Sequence, residues 1–213
     1  MNKIKKFLIN IKISILRIIW RLKYTFAREK MPKNKDGKVY VNLGCGVNTS
    51  SEFVNIDAIP FKHTHWIANI QNLFMFPNNS VDMIYASHVI EHIPRKNVEQ
   101  SLSEWLRVLK NGGVLRFGVP NFDALVEIYN LSGKNTESIV NQLLGQDGEY
   151  DDHHTIWNFE YAKKLLESVG FVDVKFWDPK QVEHHEFHDK TLREIEVGGK
   201  KISISLNIEA TKR

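Results

Sequence analysis

Short apolar runs separated by turn residues recur from residue 38 onward and predict buried strands. Each run is four to six residues long, which suits a strand and is too short for a typical helix. Glycine, proline and asparagine between the runs supply turns. Apolar runs with little alternation are typical of strands covered on both faces, as in a parallel sheet. The predicted strands are Lys38–Leu43, Val54–Asp57, Trp66–Asn69, Val81–Ala86 and Val114–Val119.

Two later segments repeat their apolar residues with the period of a helix. The first runs from Pro94 to Lys110, and we expect Asn111-Gly112-Gly113 to end it. The second runs from Phe159 to Val169, with Asn158 as its N-cap and Gly170 after its end. The apolar positions that carry the first pattern are Val98, Leu102, Trp105, Leu106 and Leu109.

The end of the chain predicts two further strands, Phe171–Trp177 and Ile202–Ala210. The second alternates apolar and polar residues, which is typical of an antiparallel strand. The complete pattern predicts an α/β fold, a mostly parallel, Rossmann-like sheet with an antiparallel C-terminal edge strand, formed by a single domain over residues 31–213. The connections after the first two strands are too short for full crossover helices, so we expect those helices to be vestigial.

Residues 1–30 form a separate, basic segment in front of this domain. They hold nine Lys or Arg and one acid, a charge of +8, whereas the rest of the chain carries −4. On a helical wheel the aliphatic residues form one stripe with cations along both flanks, the pattern of an amphipathic helix that lies in an anionic membrane surface. The stripe residues are Ile4, Phe7, Leu8, Ile11, Ile15, Ile18, Ile19, Leu22 and Phe26.

The same helix could instead pack on the domain or on a second copy of the chain in a homodimer, and an RNA-binding arm is a weaker alternative. A membrane-spanning helix is not predicted, because charges such as Lys12 and Arg17 interrupt every apolar run well before about 20 residues. The same interruption argues against a signal peptide. No nucleic-acid partner is predicted.

Composition places the chain among ordinary globular proteins. It has 213 residues, of which 42% are hydrophobic and 25% are charged, so disordered and fibrous classes are excluded. Its single cysteine, Cys45, cannot form an internal disulfide. We therefore expect a cytoplasmic protein, with peripheral attachment to the inner membrane if residues 1–30 bind lipid.

A glycine turn, Gly44-Cys45-Gly46, follows the first predicted strand, and Asp57 ends the second. Glycines at this place let a backbone approach a ligand closely, and an acid at the second strand end is suited to accept hydrogen bonds from ribose hydroxyls. A dinucleotide-binding fingerprint is not complete, because it needs a further glycine where this chain has Thr49.

Five ordered motifs resemble the class I S-adenosylmethionine-dependent methyltransferases, and among them the predicted methyltransferases of bacterial surface-polysaccharide clusters. The motifs are VNLGCG, FVNID, PNNSVDMIYASHVIEHI, LRVLKNGGVLRFGVPN and LLESVGF. The resemblance runs from Val39 to about Lys212 and implies a Rossmann-like fold with S-adenosylmethionine as methyl donor.

The resemblance also implies which residues contact that cofactor. Many relatives have an acid in place of Asn42, and the family usually has Asp in place of Asn69, so the two amides depart from the pattern. Cys45 is expected to be a small member of the turn and not a nucleophile. The implied cofactor-binding residues are Asn42, Gly44, Cys45, Gly46, Asp57, Asn69, Ile70, Ser87 and His88.

Methyl transfer to oxygen or nitrogen usually needs a base, and histidine is the residue suited to that role near neutral pH. The candidates are His88 and His92, on either side of Val89-Ile90-Glu91, and His154, in the segment that the resemblance places over the acceptor. A structural hydrogen bond is the alternative role for each. The cluster from His184 to Asp189 superficially offers metal ligands but lacks a second ligand set, so no metal site is predicted.

These observations predict a methyltransferase that O-methylates a sugar of a bacterial surface glycan, or its precursor, at the inner membrane face. The glycan rests on the resemblance and on residues 1–30, since a fold alone does not define a substrate. A small membrane-soluble acceptor, such as a quinone or lipid, is a second hypothesis. A non-catalytic scaffold that retains the fold is a third.

Overall fold

The computed structural model describes residues 34–146, 151–183 and 187–213, together with the isolated positions Ile15, Ile18 and Ile19. These three residues are helical and are 50%, 59% and 52% exposed, respectively. The remainder of the predicted N-terminal helix lies outside the described residues, as do His184, His185 and Glu186 of the histidine cluster.

A seven-stranded sheet forms the framework, in the order β3-β2-β1-β4-β5-β9-β6. Strands β1 to β5 pair in parallel, whereas β9 is antiparallel to both β5 and the edge strand β6. The predicted mostly parallel, Rossmann-like α/β fold is confirmed. The strands are β1 Tyr40–Leu43, β2 Phe53–Asp57, β3 Trp66–Ile67, β4 Val81–Ser87, β5 Leu109–Pro120, β6 Phe171–Phe176, β7 Glu194–Val197, β8 Lys200–Ser203 and β9 Ser205–Lys212.

Four helices accompany the sheet within the described residues: α1 Val98–Val108, α2 Phe122–Leu131, α3 Val140–Leu144 and α4 Phe159–Val169. Short 3-10 helices occupy Ile90–His92, Arg95–Asn97, Thr136–Ser138 and Lys190–Leu192. The connections 44–52 and 58–65 are turns without a helix, as the short crossovers predicted. None of the described helices combines the length and the apolar character that crossing a membrane requires.

Several predicted boundaries were wrong: β3 ends at Ile67 and not at Asn69, the α-helix predicted from Pro94 begins at Val98, and β5 begins at Leu109 and not at Val114. The segment 202–210 is divided at Ile204, because β8 pairs with β7 in a separate hairpin while β9 enters the main sheet. Helix α1 ends at Val108 and not at the glycines, because Leu109 is fully buried and already pairs with Val81. The next pair in this ladder is Met83 with Val114, so residues 110–113 form a bulge within β5.

Both faces of the sheet are packed. On one face, α1 and α4 bury Leu102, Trp105 and Leu166 against the strands, and the Trp105 Nε1–H donates to the Ile70 carbonyl at 2.8 Å. On the other face an aromatic cluster contains Tyr85 and Phe187, which stack at 4.6 Å. This burial holds the carboxyl ends of β1, β2 and β4 along one edge, where open α/β sheets bind ligands.

Candidate active site

The turn after β1 brings the backbone close to the connection that follows β4. Gly44 and Gly46 both have left-handed φ angles, +61° and +51°. A Cβ atom on Gly44 would overlap both methyl groups of Val89, so this position requires glycine for space as well as for backbone conformation.

Cys45, between the two glycines, is buried and its amide donates to the Ile56 carbonyl at 3.1 Å. Burial, with a contribution from the charge of Asp57, raises the pKa of the Cys45 thiol to about 12. The thiol is therefore protonated at neutral pH, and it is packed within the turn.

Asp57 connects the end of β2 to this turn. Its Oδ2 accepts from the Gly46 amide and its Oδ1 accepts from the Ile59 amide, each at 2.8 Å. Burial raises the pKa of this carboxyl, and the backbone amides oppose that shift by stabilising the charge. The carboxylate is thus held in place at the mouth of the site.

A cavity of about 610 Å³ opens beside Asp57 and the glycine turn. This volume lies within the range of roughly 300–1,000 Å³ that is common for small-molecule sites. Ile59, Phe61, Val89 and Ile93 supply apolar walls that the sequence did not identify. Eight predicted site residues line the cavity: Gly44, Gly46, Asp57, Asn69, Ile70, His88, His92 and His154.

Three predicted cofactor contacts, Asn42, Cys45 and Ser87, are not among the described residues that line it. The buried Asn42 amide donates to Asn55 Oδ1 at 3.1 Å and lies behind the turn. Ser87 interacts with the Tyr85 hydroxyl, in the aromatic cluster. Asn42 and Ser87 thus have partners within the protein, and their contact with the cofactor, like that of Cys45, stays a prediction.

His88 has a left-handed backbone, with φ +53°, which is uncommon for a residue with a side chain. Its amide donates to the Gly118 carbonyl at 2.8 Å, and its Nε2 lies 3.1 Å from Ser205 Oγ. Because the Ser205 hydroxyl donates to Asn207 Oδ1 at 2.9 Å, Nε2 of His88 is the donor in its own hydrogen bond. Its Nδ1 lies 3.2 Å from Glu91 Oε1. Both ring nitrogens thus have partners within the protein.

The 3-10 turn Ile90–His92 places Glu91 and His92 directly behind His88. Glu91 is completely buried, and its backbone carbonyl accepts from the His154 amide at 2.8 Å. Burial would raise the pKa of Glu91, but its interactions with His88 and His92 lower it.

The predicted histidines converge on one wall of the cavity. His154 is exposed and lines the cavity. The ring of His92 lies edge-on to that of His153, with 4.8 Å between the ring centroids. His153 was not among the predicted site residues, although it precedes one of them. Its proximity to His92, which lies 61 residues earlier in the sequence, depends on the tertiary fold.

A second, smaller cavity of about 120 Å³ lies beyond this wall and shares His88, His92 and Asp151 with the first. Its other lining is largely polar and cationic: Asn141, Gln142, Gln146, Lys190 and Arg193. The wall formed by His88, His92 and His154, here called the histidine wall, therefore lies between a large cavity at the glycine turn and a smaller polar one.

Comparison with known proteins agrees with this architecture. Residues 39–117 match a family described as a methyltransferase domain. The matched segment runs from just before β1 into β5 and contains the glycine turn, Asp57 and the His88–His92 segment. No curated protein is significantly similar to the chain.

Solved structures extend the likeness over the fold. A SAM-dependent methyltransferase from Archaeoglobus fulgidus aligns with a TM-score of 0.53 and 16% identity, covering 99% of this chain and 100% of its own. One from Methanosarcina mazei has a TM-score of 0.52 and 16% identity, covering 86% and 94%. A third, from Thermotoga maritima and described as a possible histamine N-methyltransferase, has a TM-score of 0.51 and 14% identity, covering 99% and 96%. At these identities the likeness shows a common fold.

Proposed function

We propose that this S-adenosylmethionine-dependent methyltransferase transfers its methyl group to a hydroxyl of a sugar, in a surface glycan or its precursor at the inner membrane face. The observation that carries the proposal is the polar second cavity, which adjoins the cofactor-sized one across a wall of histidines. The remaining support comes from the sequence resemblance and from the basic residues 1–30.

The residues at the glycine turn suit the cofactor. A carboxylate offers about four lone-pair sites, so Asp57 can hold the amides of Gly46, Ile59 and Ala58 and still accept a hydrogen bond from a ribose hydroxyl. Asn69 and Ile70 line the same cavity, where we place the adenine. When bound, S-adenosylmethionine supplies an electrophilic methyl group on a positively charged sulfur.

The acceptor side favours a sugar over a quinone or lipid. Amide side chains such as Asn141, Gln142 and Gln146 can both donate to and accept from hydroxyl groups. Lys190 and Arg193 add donors and positive charge, which suits an acceptor with a phosphate or carboxylate. An apolar acceptor would leave these polar groups without hydrogen bonds, at a cost in affinity.

Among the candidate bases, His154 has the most suitable position. It is exposed and lines the large cavity, whereas both ring nitrogens of His88 are already hydrogen-bonded or paired. His88 is better suited to shape the wall, because its strained backbone and its link to Ser205 fix the ring. We assign His154 to removal of the acceptor proton.

The membrane location rests on residues 1–30. Their charge of +8 would attract an anionic surface, and the domain's charge of −4 would not. Ile15, Ile18 and Ile19 belong to the predicted apolar stripe, and all three are exposed in the structure. Exposed aliphatic side chains in a basic segment that is predicted to be a helix fit a lipid surface or a second copy of the chain better than packing on the same domain.

The decisive experiment follows labelled methyl groups from S-adenosylmethionine into glycan, lipid and protein fractions of the source cell. The purified full-length chain is the enzyme, and Asp57→Ala, for which we expect weakened binding of the methyl donor, is the comparison at low donor concentration. Label in the glycan or sugar-precursor fraction supports the proposal. Label in an apolar, sugar-free lipid supports the second hypothesis, and no label in any fraction supports the scaffold.

A further inference from the structure

Three side chains at the histidine wall form a group that the proposed sugar O-methylation does not by itself require. Glu91, His92 and His153 each offer one ligand atom, and these atoms all lie within 4.8 Å of one another. Two histidines and one carboxylate are a ligand set found in catalytic metal centres. The sequence analysis considered only the cluster from His184 to Asp189 for a metal, and Glu91 and His92 are remote from His153 along the chain.

The buried carboxylate of Glu91 lacks the hydrogen bonds that its environment calls for. Neither Oε1 nor Oε2 has a hydrogen-bond partner of normal geometry among the described residues, although the side chain is 0% exposed. Nδ1 of His88 lies 3.2 Å from Oε1, and the backbone amide of Glu91 itself makes a smaller contribution. Buried charges are normally paired and fully hydrogen-bonded or coordinated to a metal. These two groups leave much of the carboxylate's acceptor capacity unused.

Both histidine rings of this group have a backbone carbonyl beside Nδ1. Nδ1 of His92 lies 3.2 Å from the Asp152 carbonyl, and Nδ1 of His153 lies 3.0 Å from the Gln142 carbonyl. A carbonyl oxygen can only accept, so each Nδ1 carries the proton and each Nε2 keeps a lone pair. A backbone carbonyl that fixes the tautomer in this way is the usual outer partner of a metal-ligating histidine.

We propose that Glu91, His92 and His153 bind a divalent transition-metal ion such as Zn²⁺. Imidazole nitrogens favour such ions over Mg²⁺ or Ca²⁺, which prefer oxygen ligands. Ligand bonds of about 2.0–2.2 Å place neighbouring ligand atoms roughly 3–4 Å apart, so small side-chain movements would bring the three into contact with one ion. Three protein ligands leave a coordination position for an exogenous oxygen.

The location of the metal site suggests a role for the open coordination position, and this role rests on the proposed function. His92 lines both cavities, so the ion would lie between the methyl donor and the polar acceptor cavity. An acceptor hydroxyl bound to it would lose its proton more readily. That proton passes to His154, the oxygen forms a bond to the methyl carbon, and the methyl–sulfur bond breaks with its electron pair left on sulfur. The ion and its ligands are unchanged.

Metal binding is tested on the full-length chain after removal of metals with a chelator. Co²⁺ is titrated and followed by its visible absorption, Zn²⁺ is measured by competition, and metal content is determined after gel filtration. The variants are Glu91→Gln and His153→Ala, with circular dichroism as a check of folding; if the first does not fold, the second decides. His188→Ala, an exposed histidine of the cluster 184–189, is the matched control.

We expect about one ion per wild-type chain, a loss of affinity of more than about 100-fold in both ligand variants, and no change in His188→Ala. The proposal is overturned if the wild type binds no ion, if both ligand variants retain its affinity, or if His188→Ala alone abolishes binding. Affinity for S-adenosylhomocysteine is measured in parallel. If the chain binds metal but not S-adenosylhomocysteine, the proposed function is refuted and the metal site is retained. If it binds S-adenosylhomocysteine but not metal, only the metal site is refuted.

Discussion

The Asp57 carboxylate accepts a hydrogen bond from the Gly46 amide, with 2.8 Å between Oδ2 and N. This bond joins the end of β2 to the turn after β1, across residues that are eleven apart in the chain. It fixes the acid and the glycine backbone as one unit at the edge of the sheet. A preformed unit of this kind binds its ligand without first having to be ordered.

The first prediction concerns the space at Gly44. Gly44→Ala should unfold more easily than Gly46→Ala, because both place a side chain at positive φ but only the former overlaps Val89. We expect a loss of about 1–2 kcal/mol for Gly46→Ala, and a further loss of roughly 1–3 kcal/mol for Gly44→Ala. Chemical denaturation measures both, and equal losses would contradict the close approach to Val89.

The second prediction concerns His154. His154→Ala should lower methyl transfer by about 100-fold, because a positioned base contributes roughly that much or more. Its affinity for S-adenosylhomocysteine should remain almost intact. Turnover is followed as labelled methyl in the acceptor fraction, with His188→Ala as the control. Unchanged turnover in His154→Ala would leave that histidine with a structural role.

The third prediction concerns residues 1–30. Full-length chain should float with vesicles that contain acidic lipid and should be partly released at high salt, because salt screens the attraction of the cations but not the burial of aliphatic side chains. A chain that begins at Lys33 should not float. Replacing Ile15, Ile18 and Ile19 with serine should weaken flotation without altering the charge. A salt-independent dimer that ignores acidic vesicles would instead assign this segment to oligomerisation.

The fourth prediction concerns stability in acid. Burial would raise the pKa of Glu209, but Arg116, whose NH2 lies 2.6 Å from Oε2, lowers it, and Lys175 adds to this effect. A carboxylate with a lowered pKa stabilises the fold above its ordinary pKa of 4.5, and that contribution is lost as the pH falls through the lowered value.

Glu209→Gln should therefore unfold more easily than wild type at pH 7 and lose less stability on acidification. Urea denaturation at a series of pH values measures this difference. Glu167→Gln, which removes only an exposed pair with Lys163, should follow the wild-type curve. A Glu209→Gln curve parallel to that of wild type would show that the Arg116 pair has no linkage to acid stability.

The elements that could be predicted from the sequence are those with strong local signals. Asn158 and Gly170 delimit α4 as expected, since the Asn158 side chain accepts from the Tyr161 amide and Gly170 is left-handed. The β7–β8 hairpin was missed although Gly198-Gly199 is a strong signal for a two-residue turn.

The parts of the site that could not be predicted depend on tertiary contacts. Strand alternation places Asn42 on the same face as Tyr40, but only the packing of β2 brings Asn55 against it. Glu91 and His153 lie close together because the His154 amide donates a hydrogen bond to the Glu91 carbonyl, which joins the two segments. Local sequence patterns carry no information about a contact of that kind.

The most direct test of the central claim is calorimetry of S-adenosylhomocysteine binding to the wild type, Asp57→Ala and the exposed control Asp123→Ala. We predict micromolar affinity for the wild type and the control. We also predict a loss of roughly 1.5–3 kcal/mol, or about 10- to 150-fold, for Asp57→Ala, because it removes a charged acceptor for ribose hydroxyls and the anchor of Gly46. No binding to the wild type, or equal affinity in Asp57→Ala, would contradict the assignment of this cavity to the methyl donor.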